Sequence, residues 1–242
     1  MKFIKLINFF RKILHPIIFS FLRSLGTAFL TPISFSLSTG HFRSSLANKA
    51  IKNNGQALPW FTYPCIDFIA TRDFSKANIL EFGGGQSSNY WSNIASNVIT
   101  FETDEKWISN IKQITQHASN ISLILAPSET SKQIPFVEKE LEKINKKFDV
   151  IIIDGMSRKE MFLIAMNYLT QDGMVICDNA EGYGFFEQWI KFPDFLRVDF
   201  YGHSPGVIHP HATSIFFSNK CKHFKNNQPI YERKYYKNKF PI

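Results

Sequence analysis

The sequence predicts an α/β fold with a mostly parallel sheet. From Asn78 onward, short apolar runs alternate with amphipathic stretches of helical length, the pattern of successive strand–helix units. Two cleanly alternating runs, Phe195–Tyr201 and Thr213–Ser218, close the series across a short loop and read as an antiparallel hairpin. The first apolar run, Ile79–Phe82, breaks into Gly83, Gly84 and Gly85 and then into Gln86, Ser87 and Ser88. That is a buried strand, a tight turn with bare backbone and a helix N-terminus.

Taken in order, residues 3–14 have helical periodicity, with Lys2, Lys5, Asn8, Lys12 and His15 on one stripe and apolar residues elsewhere. Pro16 interrupts this arm, and Ile17–Leu22 resumes the apolar character up to Arg23. No apolar run reaches the ~18 uninterrupted residues of a spanning helix. Arg11 and Lys12 split the apolar region against a signal-peptide reading. The pattern fits a helix lying in a membrane interface or one packed on the domain. Residues 31–54 are rich in Ser, Thr, Asn and Gly and read as a linker with one helix around 44–52. Pro64 suits the first turn of a helix through Ala70, and Trp60 and Tyr63 either cover a ligand or cap the core.

Five parallel strands are then expected at Ile79–Phe82, Val98–Glu102, Ile121–Leu125, Asp149–Asp154 and Met174–Asp178. The fourth is the most apolar and should be central. The helices between them are expected at 87–95, 104–117, 136–146 and 158–169, with another at 184–191. With the hairpin this makes seven strands. The domain expectation is an arm and linker over 1–54, a catalytic domain over 55–218 and a basic tail over 219–242.

The net charge of +8 lies at the ends. No acidic residue precedes Asp67, and the basic residues before it (Lys2, Lys5, Arg11, Lys12, Arg23, Arg43, Lys49, Lys52) equal the whole excess. A nucleic-acid enzyme would more often put that charge on its working face, so no nucleic-acid partner is expected, and charge at the two ends points to an anionic membrane surface or to no specific partner. Cys65, Cys177 and Cys221 are odd in number and widely spaced, which excludes a disulfide framework or a zinc pattern. They suit reduced thiols in a cytoplasmic setting, to which the N-terminal arm adds, as one of its two readings, a peripheral place at the inner face of the membrane.

Glu102 closes the second strand, where a carboxylate next to a glycine turn can accept both hydroxyls of a ribose. That arrangement binds a nucleoside without choosing between nicotinamide and S-adenosylmethionine (SAM) cofactors. Three features favour SAM over an NAD(P)-dependent oxidoreductase. Glu81 puts a carboxylate in the last turn of the first strand, suited to a ligand ammonium. Ser88 stands where a dinucleotide site needs its third glycine, and the sheet ends in a hairpin.

At these residues the sequence resembles the class I SAM-dependent methyltransferase superfamily. Glu81-Phe-Gly83-Gly-Gly85-Gln-Ser87 matches the first motif and Glu102 the second. Phe148-Asp-Val-Ile-Ile-Ile-Asp154-Gly and Gly173-Met-Val-Ile-Cys-Asp178-Asn179 match later ones. Pro59-Trp-Phe-Thr-Tyr-Pro64 and the closing hairpin are similar to a bacterial group within it. The resemblance spans about residues 59–218. It implies a Rossmann-like three-layer sandwich and a methyltransferase acting on an oxygen or nitrogen of a small or lipid-linked acceptor. It also implies SAM held by Glu81, Gly83, Gly84, Gly85, Ser87 and Glu102, with the adenine near 126–129. A non-catalytic, membrane-apposed protein of this fold is the remaining alternative.

Asp154, Asp178 and Asn179, at the carboxyl ends of adjacent strands, are similar to the trio that binds Mg²⁺ in catechol-type O-methyltransferases. The alternative is that Asp154 contacts cofactor or substrate while Asp178 and Asn179 cap the next loop. Asp154 and His203 are the expected catalytic residues, with His209, His211 and Lys159 as further candidate bases.

Overall fold

The computed structural model describes residues 2–225. Most of the basic tail expected from residue 219 therefore lies outside the described residues. The elements run α1 (Lys2–Ile13), α2 (Pro16–Thr39), α3 (His41–Ala47), α4 (Tyr63–Ile69), β1 (Asn78–Phe82), α5 (Gln86–Ser92), β2 (Asn97–Glu102), α6 (Glu105–Ile114) and β3 (Ile121–Leu125). They continue with α7 (Thr130–Ile144), β4 (Phe148–Ile153), α8 (Arg158–Tyr168), β5 (Leu169–Asp178), α9 (Phe185–Trp189), β6 (Phe195–Gly202) and β7 (His211–Ser218).

The seven strands form one sheet in the order β3-β2-β1-β4-β5-β7-β6. Neighbours among β1 to β5 are parallel, and β7 runs antiparallel between β5 and β6. The expected closing hairpin is present, and β4 is the central strand, as its apolar run demands. Its alternate side chains feed opposite cores. Val150 and Ile152 pack with Phe61, Ile69, Phe74 and Trp91 under α4 and α5. Ile151 and Ile153 pack with Val137, Leu141, Phe162 and Phe185 under α7, α8 and α9. Helices on both faces of a parallel sheet make three layers. The chain runs outward from β1 to β3, then returns to place β4 beside β1. The carboxyl ends of β1 and β4 are thus the switch point where open α/β sheets bind ligands.

One expectation fails at the N-terminus. Residues 31–39 are not linker, because α2 continues unbroken from Pro16 to Thr39 through Pro32. Its hydroxyls explain why so polar a stretch stays helical. Thr27 Oγ1 donates to the Arg23 carbonyl at 2.9 Å, and Thr39 Oγ1 to the Phe35 carbonyl at 2.7 Å, so these groups are satisfied by the preceding turn. The 24-residue helix has a mean hydropathy of 1.4 in its most apolar window and is long and apolar enough to cross a membrane. The apolar run looked too short only because Arg23 and the serines and threonines interrupt it.

Candidate cofactor-binding crevice

Glu81 is fully buried in β1. Its Oε2 accepts from Ser88 Oγ at 2.5 Å and Thr100 Oγ1 at 2.8 Å, while Ser88 Oγ itself accepts from the Gly85 amide at 3.0 Å. The parallel register sets Thr100 directly beside Glu81. Oε1 is buried with no partner. Burial raises the Glu81 carboxyl to about 7, against the hydrogen bonds that favour its charge. A buried carboxylate with one oxygen fixed and the other unmet suits a cationic partner, and Glu81 lies directly behind the crevice lining rather than in it. Ser88 is thus the brace of this carboxylate, beyond its being a non-glycine.

All three glycines of the turn line the crevice, and two of them are also required by the protein's own packing. Gly83 (φ +89°) lies against the turn after β4, where an added Cβ would come within 2.5 Å of the Gly155 Cα and N. At Gly84 an added Cβ would meet Ile111 Cδ1 and Thr100 Cγ2 at 2.7 Å. Only at Gly85 is the nearest atom as far as 3.7 Å, on the Trp107 ring. Protein packing accounts for the first two glycines, whereas a Cβ at Gly85 would only touch the Trp107 ring.

Glu102 ties the turn to the next loop. Its Oε2 accepts from the Gly84 amide at 3.0 Å, and its Oε1 from the Thr103 amide at 2.6 Å and the Asp104 amide at 3.0 Å. A crevice of about 650 Å³ opens here, lined by the three glycines, Ser87, Glu102, Trp107, Asp154, Arg158 and Tyr183, with Trp60 on one side. Trp107 donates from Nε1 to the Gly84 carbonyl at 2.7 Å and keeps its ring partly exposed. The two aromatic candidates of the 59–64 segment part company. Trp60 lines the crevice and donates to the Pro205 carbonyl at 2.7 Å, whereas Tyr63 is core. Residues 126–129, expected beside an adenine, do not line the crevice.

The expected magnesium trio is engaged otherwise. Arg158 pairs with Asp154 Oδ1 at 2.9 Å and donates to Asn179 Oδ1 at 3.2 Å. The Asp178 carboxylate turns to Thr213 Oγ1 at 2.7 Å, with His211 Nε2 at 3.4 Å. Among the described residues no group of three His, Cys, Asp or Glu is placed to hold a metal. Burial, with Asp178 nearby, raises the Asp154 carboxyl above the usual carboxylate range, and Arg158 opposes that rise. Asp178 raises the His211 imidazole beside it, and neither residue lines the crevice. His203 is exposed, its ring 6.2 Å from that of His41, and lies outside the crevice lining. His209 is exposed, and Lys159 is paired with Glu187 at 2.9 Å.

Of the expected site residues, Gly83, Gly84, Gly85, Ser87, Glu102 and Asp154 line the crevice, Glu81 is buried behind that lining, and His203 stands outside it. Ser88, Thr100, Trp107, Arg158 and Tyr183 were missed. Ser88 and Arg158 left readable traces: Ser88 stands at the third-glycine position of the turn, and Arg158 falls four residues after Asp154 at the start of α8.

No family model matches the chain, and no curated protein does. Solved structures do. The O-methyltransferase TomG from Streptomyces achromogenes, in complex with SAM, is 14% identical over 76% of this chain and 87% of its own, with a TM-score of 0.54. An O-methyltransferase from Bacillus cereus, in complex with SAH, is 15% identical over 76% and 90%, with a TM-score of 0.53. A precorrin methyltransferase from Geobacter metallireducens is 11% identical over 64% and 88%, with a TM-score of 0.50. Seven strands in this order, a crevice at the β1–β4 switch point and these likenesses give the chain the fold of the class I SAM-dependent methyltransferases.

Proposed function

We propose that the protein is a methyltransferase that moves a methyl group from SAM to an oxygen or nitrogen of a small or lipid-linked acceptor. The observation that carries this reading is the unpartnered, buried Glu81 Oε1, a partner for the ammonium of a methionine moiety. Glu102 Oε2 keeps a lone pair beside the Gly84 amide for a ribose hydroxyl, and the Trp107 ring offers an apolar wall. Bound there, SAM supplies a methyl group already activated by its sulfonium, so positioning does much of the work. Asp154 faces the same crevice and would hold the acceptor or take its proton. A crevice lined by three carboxylates, Glu102, Asp104 and Asp154, and one cation, Arg158, suits a small acceptor better than a nucleic acid. Calorimetric titration should give SAM binding and no NAD binding, with S-adenosylhomocysteine released when one of a panel of hydroxyl and amine acceptors is added. Binding of NAD in place of SAM would reverse the assignment.

The arm supports a lipid setting at the inner face of the membrane. None of the α2 residues is buried, and Ile17, Ile18, Phe21, Leu22, Leu25, Phe29, Leu30, Ile33 and Leu37 are all exposed. Ser20, Arg23, Ser24, Thr27, Thr31, Ser34 and Ser38 recur at helical spacing and form one polar stripe opposite them. A helix with a wide apolar face, a polar stripe and basic residues on both flanks lies in an anionic leaflet rather than across it. The full chain should float with phosphatidylglycerol vesicles and much less with phosphatidylcholine alone. The F21E/F29E variant should partition at least ~100-fold more weakly, because each exposed aromatic contributes roughly 1.5–3 kcal/mol on burial. Its SAM affinity should stay at the wild-type level; unchanged flotation would remove the arm from membrane binding.

A further inference from the structure

We propose that Arg158 occupies the cation position among Asp154, Asp178 and Asn179, so that this crevice holds an internal guanidinium in place of a divalent metal. The inference rests on a full accounting of one side chain and stands independently of the methyltransferase reading. A guanidinium has five N–H donors in a planar fork. In Arg158, Nε donates to the Gly155 carbonyl at 3.0 Å. One terminal nitrogen donates to the Asp178 carbonyl at 2.6 Å and to Asn179 Oδ1 at 3.2 Å. The other donates to the Asp154 carbonyl at 3.0 Å and pairs with Asp154 Oδ1 at 2.9 Å. Five donors thus meet five oxygens, drawn from the ends of both β4 and β5. The Tyr183 ring covers the guanidinium, 4.3 Å from its Cζ, and the side chain is only 10% exposed.

Two consequences follow from these five bonds. Arg158 has no donor left for a substrate phosphate or carboxylate, so it is a positioning residue although it lines the crevice. It also fixes Asp154 through both its backbone carbonyl and its carboxylate, leaving Oδ2 as the oxygen available to an acceptor. A metal ion here would have to displace a guanidinium from five hydrogen bonds and a cation–π contact. It would still find the Asp178 carboxylate held by Thr213. Lysine cannot stand in, because an ammonium has three donors and no fork. Asn179, in a left-handed conformation (φ +49°), is turned so that its side-chain oxygen reaches Arg158.

Two measurements on the full chain test this. The first is electron paramagnetic resonance of Mn²⁺ titrated with wild-type protein. The signal of free Mn²⁺ should be undiminished at millimolar concentration; stoichiometric loss of that signal, abolished by D154N, would overturn the proposal. The second is thermal melting of R158A and R158K with ~10 mM guanidinium or ~10 mM Mg²⁺, the former too dilute to denature. R158A should melt lower than wild type and be raised by guanidinium and not by Mg²⁺. R158K should also melt lower, because its ammonium meets only part of the cage, and should gain less from guanidinium than R158A does. Rescue of R158A by Mg²⁺ would identify a metal site, and rescue by neither would show that the cage is not built around the guanidinium; both outcomes sink the proposal. If R158A does not fold, the R158K comparison and the Mn²⁺ titration decide.

Discussion

Replacing Glu81 by alanine is expected to weaken SAM binding by at least ~100-fold, more than a single change at any residue lining the crevice. Removing one member of a buried charge pair costs about 3–5 kcal/mol, because the other is left unpaired out of water. Here the residue removed is fully buried and its Oε1 has no partner within the protein. Glu81→Gln separates charge from shape, since its amide oxygen can still accept from Ser88 and Thr100. It should lose nearly as much affinity as alanine while keeping the strand intact. Wild-type affinity in both variants, read by calorimetry, would mean that the ammonium is held elsewhere.

The same carboxyl sets two pH dependences. In the free protein, burial lifts it to about 7 from a usual value of 4.5. A raised carboxyl stabilises the folded state fully below the unfolded value. That contribution is lost as pH rises, because the unfolded chain ionises from about 4.5 while the folded chain holds its proton to about 7. The total is about 3 kcal/mol. The stability of Glu81→Gln relative to wild type should therefore grow from pH 5 to pH 8 in urea denaturation, then level off. Cofactor affinity runs the opposite way, since the bound ammonium requires the carboxylate. Affinity should rise about tenfold per pH unit up to about 7. It should fall again once an α-amino group, near pKa ~8, loses its proton. Glu81→Ala should lack the acidic limb.

The strand–helix alternation and the central position of β4 could be read from the sequence because periodicity and apolar runs are local. Glu81, Glu102 and Asp154 were legible for the same reason: each is a carboxylate where a strand ends or nears its end. What escaped depends on contacts between distant segments. Arg158 looks like an ordinary first-turn residue of α8 until β5 brings the Asp178 carbonyl and Asn179 to it. Trp107 sits beside Ile108 on α6, and nothing local says that the Ile108 side chain is core while the Trp107 indole donates to the Gly84 carbonyl. Ser88 reads as a helix-starting serine unless the Glu81 side chain is known to point at it. On α2, serines and threonines signal loop by composition but bond to the preceding turn once the helix forms. The start of β5 at Leu169 was missed because Thr170-Gln-Asp-Gly173 has turn composition, and its pairing with β4 is irregular there.

Gly83→Ala should unfold the crevice, while Gly85→Ala should leave the fold intact and lose cofactor affinity. At Gly83 two penalties add. A φ of +89° is unfavourable for any residue with a Cβ, by roughly 1–2 kcal/mol. The new methyl also lands 2.5 Å from the Gly155 backbone, an overlap that costs a further ~1–3 kcal/mol if the structure yields. It cannot yield easily. The Gly83 amide donates to the Phe101 carbonyl at 2.8 Å and the Asp154 amide to the Phe82 carbonyl at 2.8 Å, so both sides are tied to adjacent strands. Movement would carry Asp154 and Glu81 with it. A loss of about 3 kcal/mol or more is expected, since the two terms sum to that order. At Gly85, by contrast, φ is 168°, extended backbone open to any residue, and the methyl would point toward the Trp107 ring at 3.7 Å. Denaturation of Gly85→Ala should match wild type, and its calorimetric affinity for SAM should drop. Wild-type stability in Gly83→Ala would show that its turn is not pinned. Wild-type affinity in Gly85→Ala would show that the ligand keeps clear of the one glycine that the fold itself does not require.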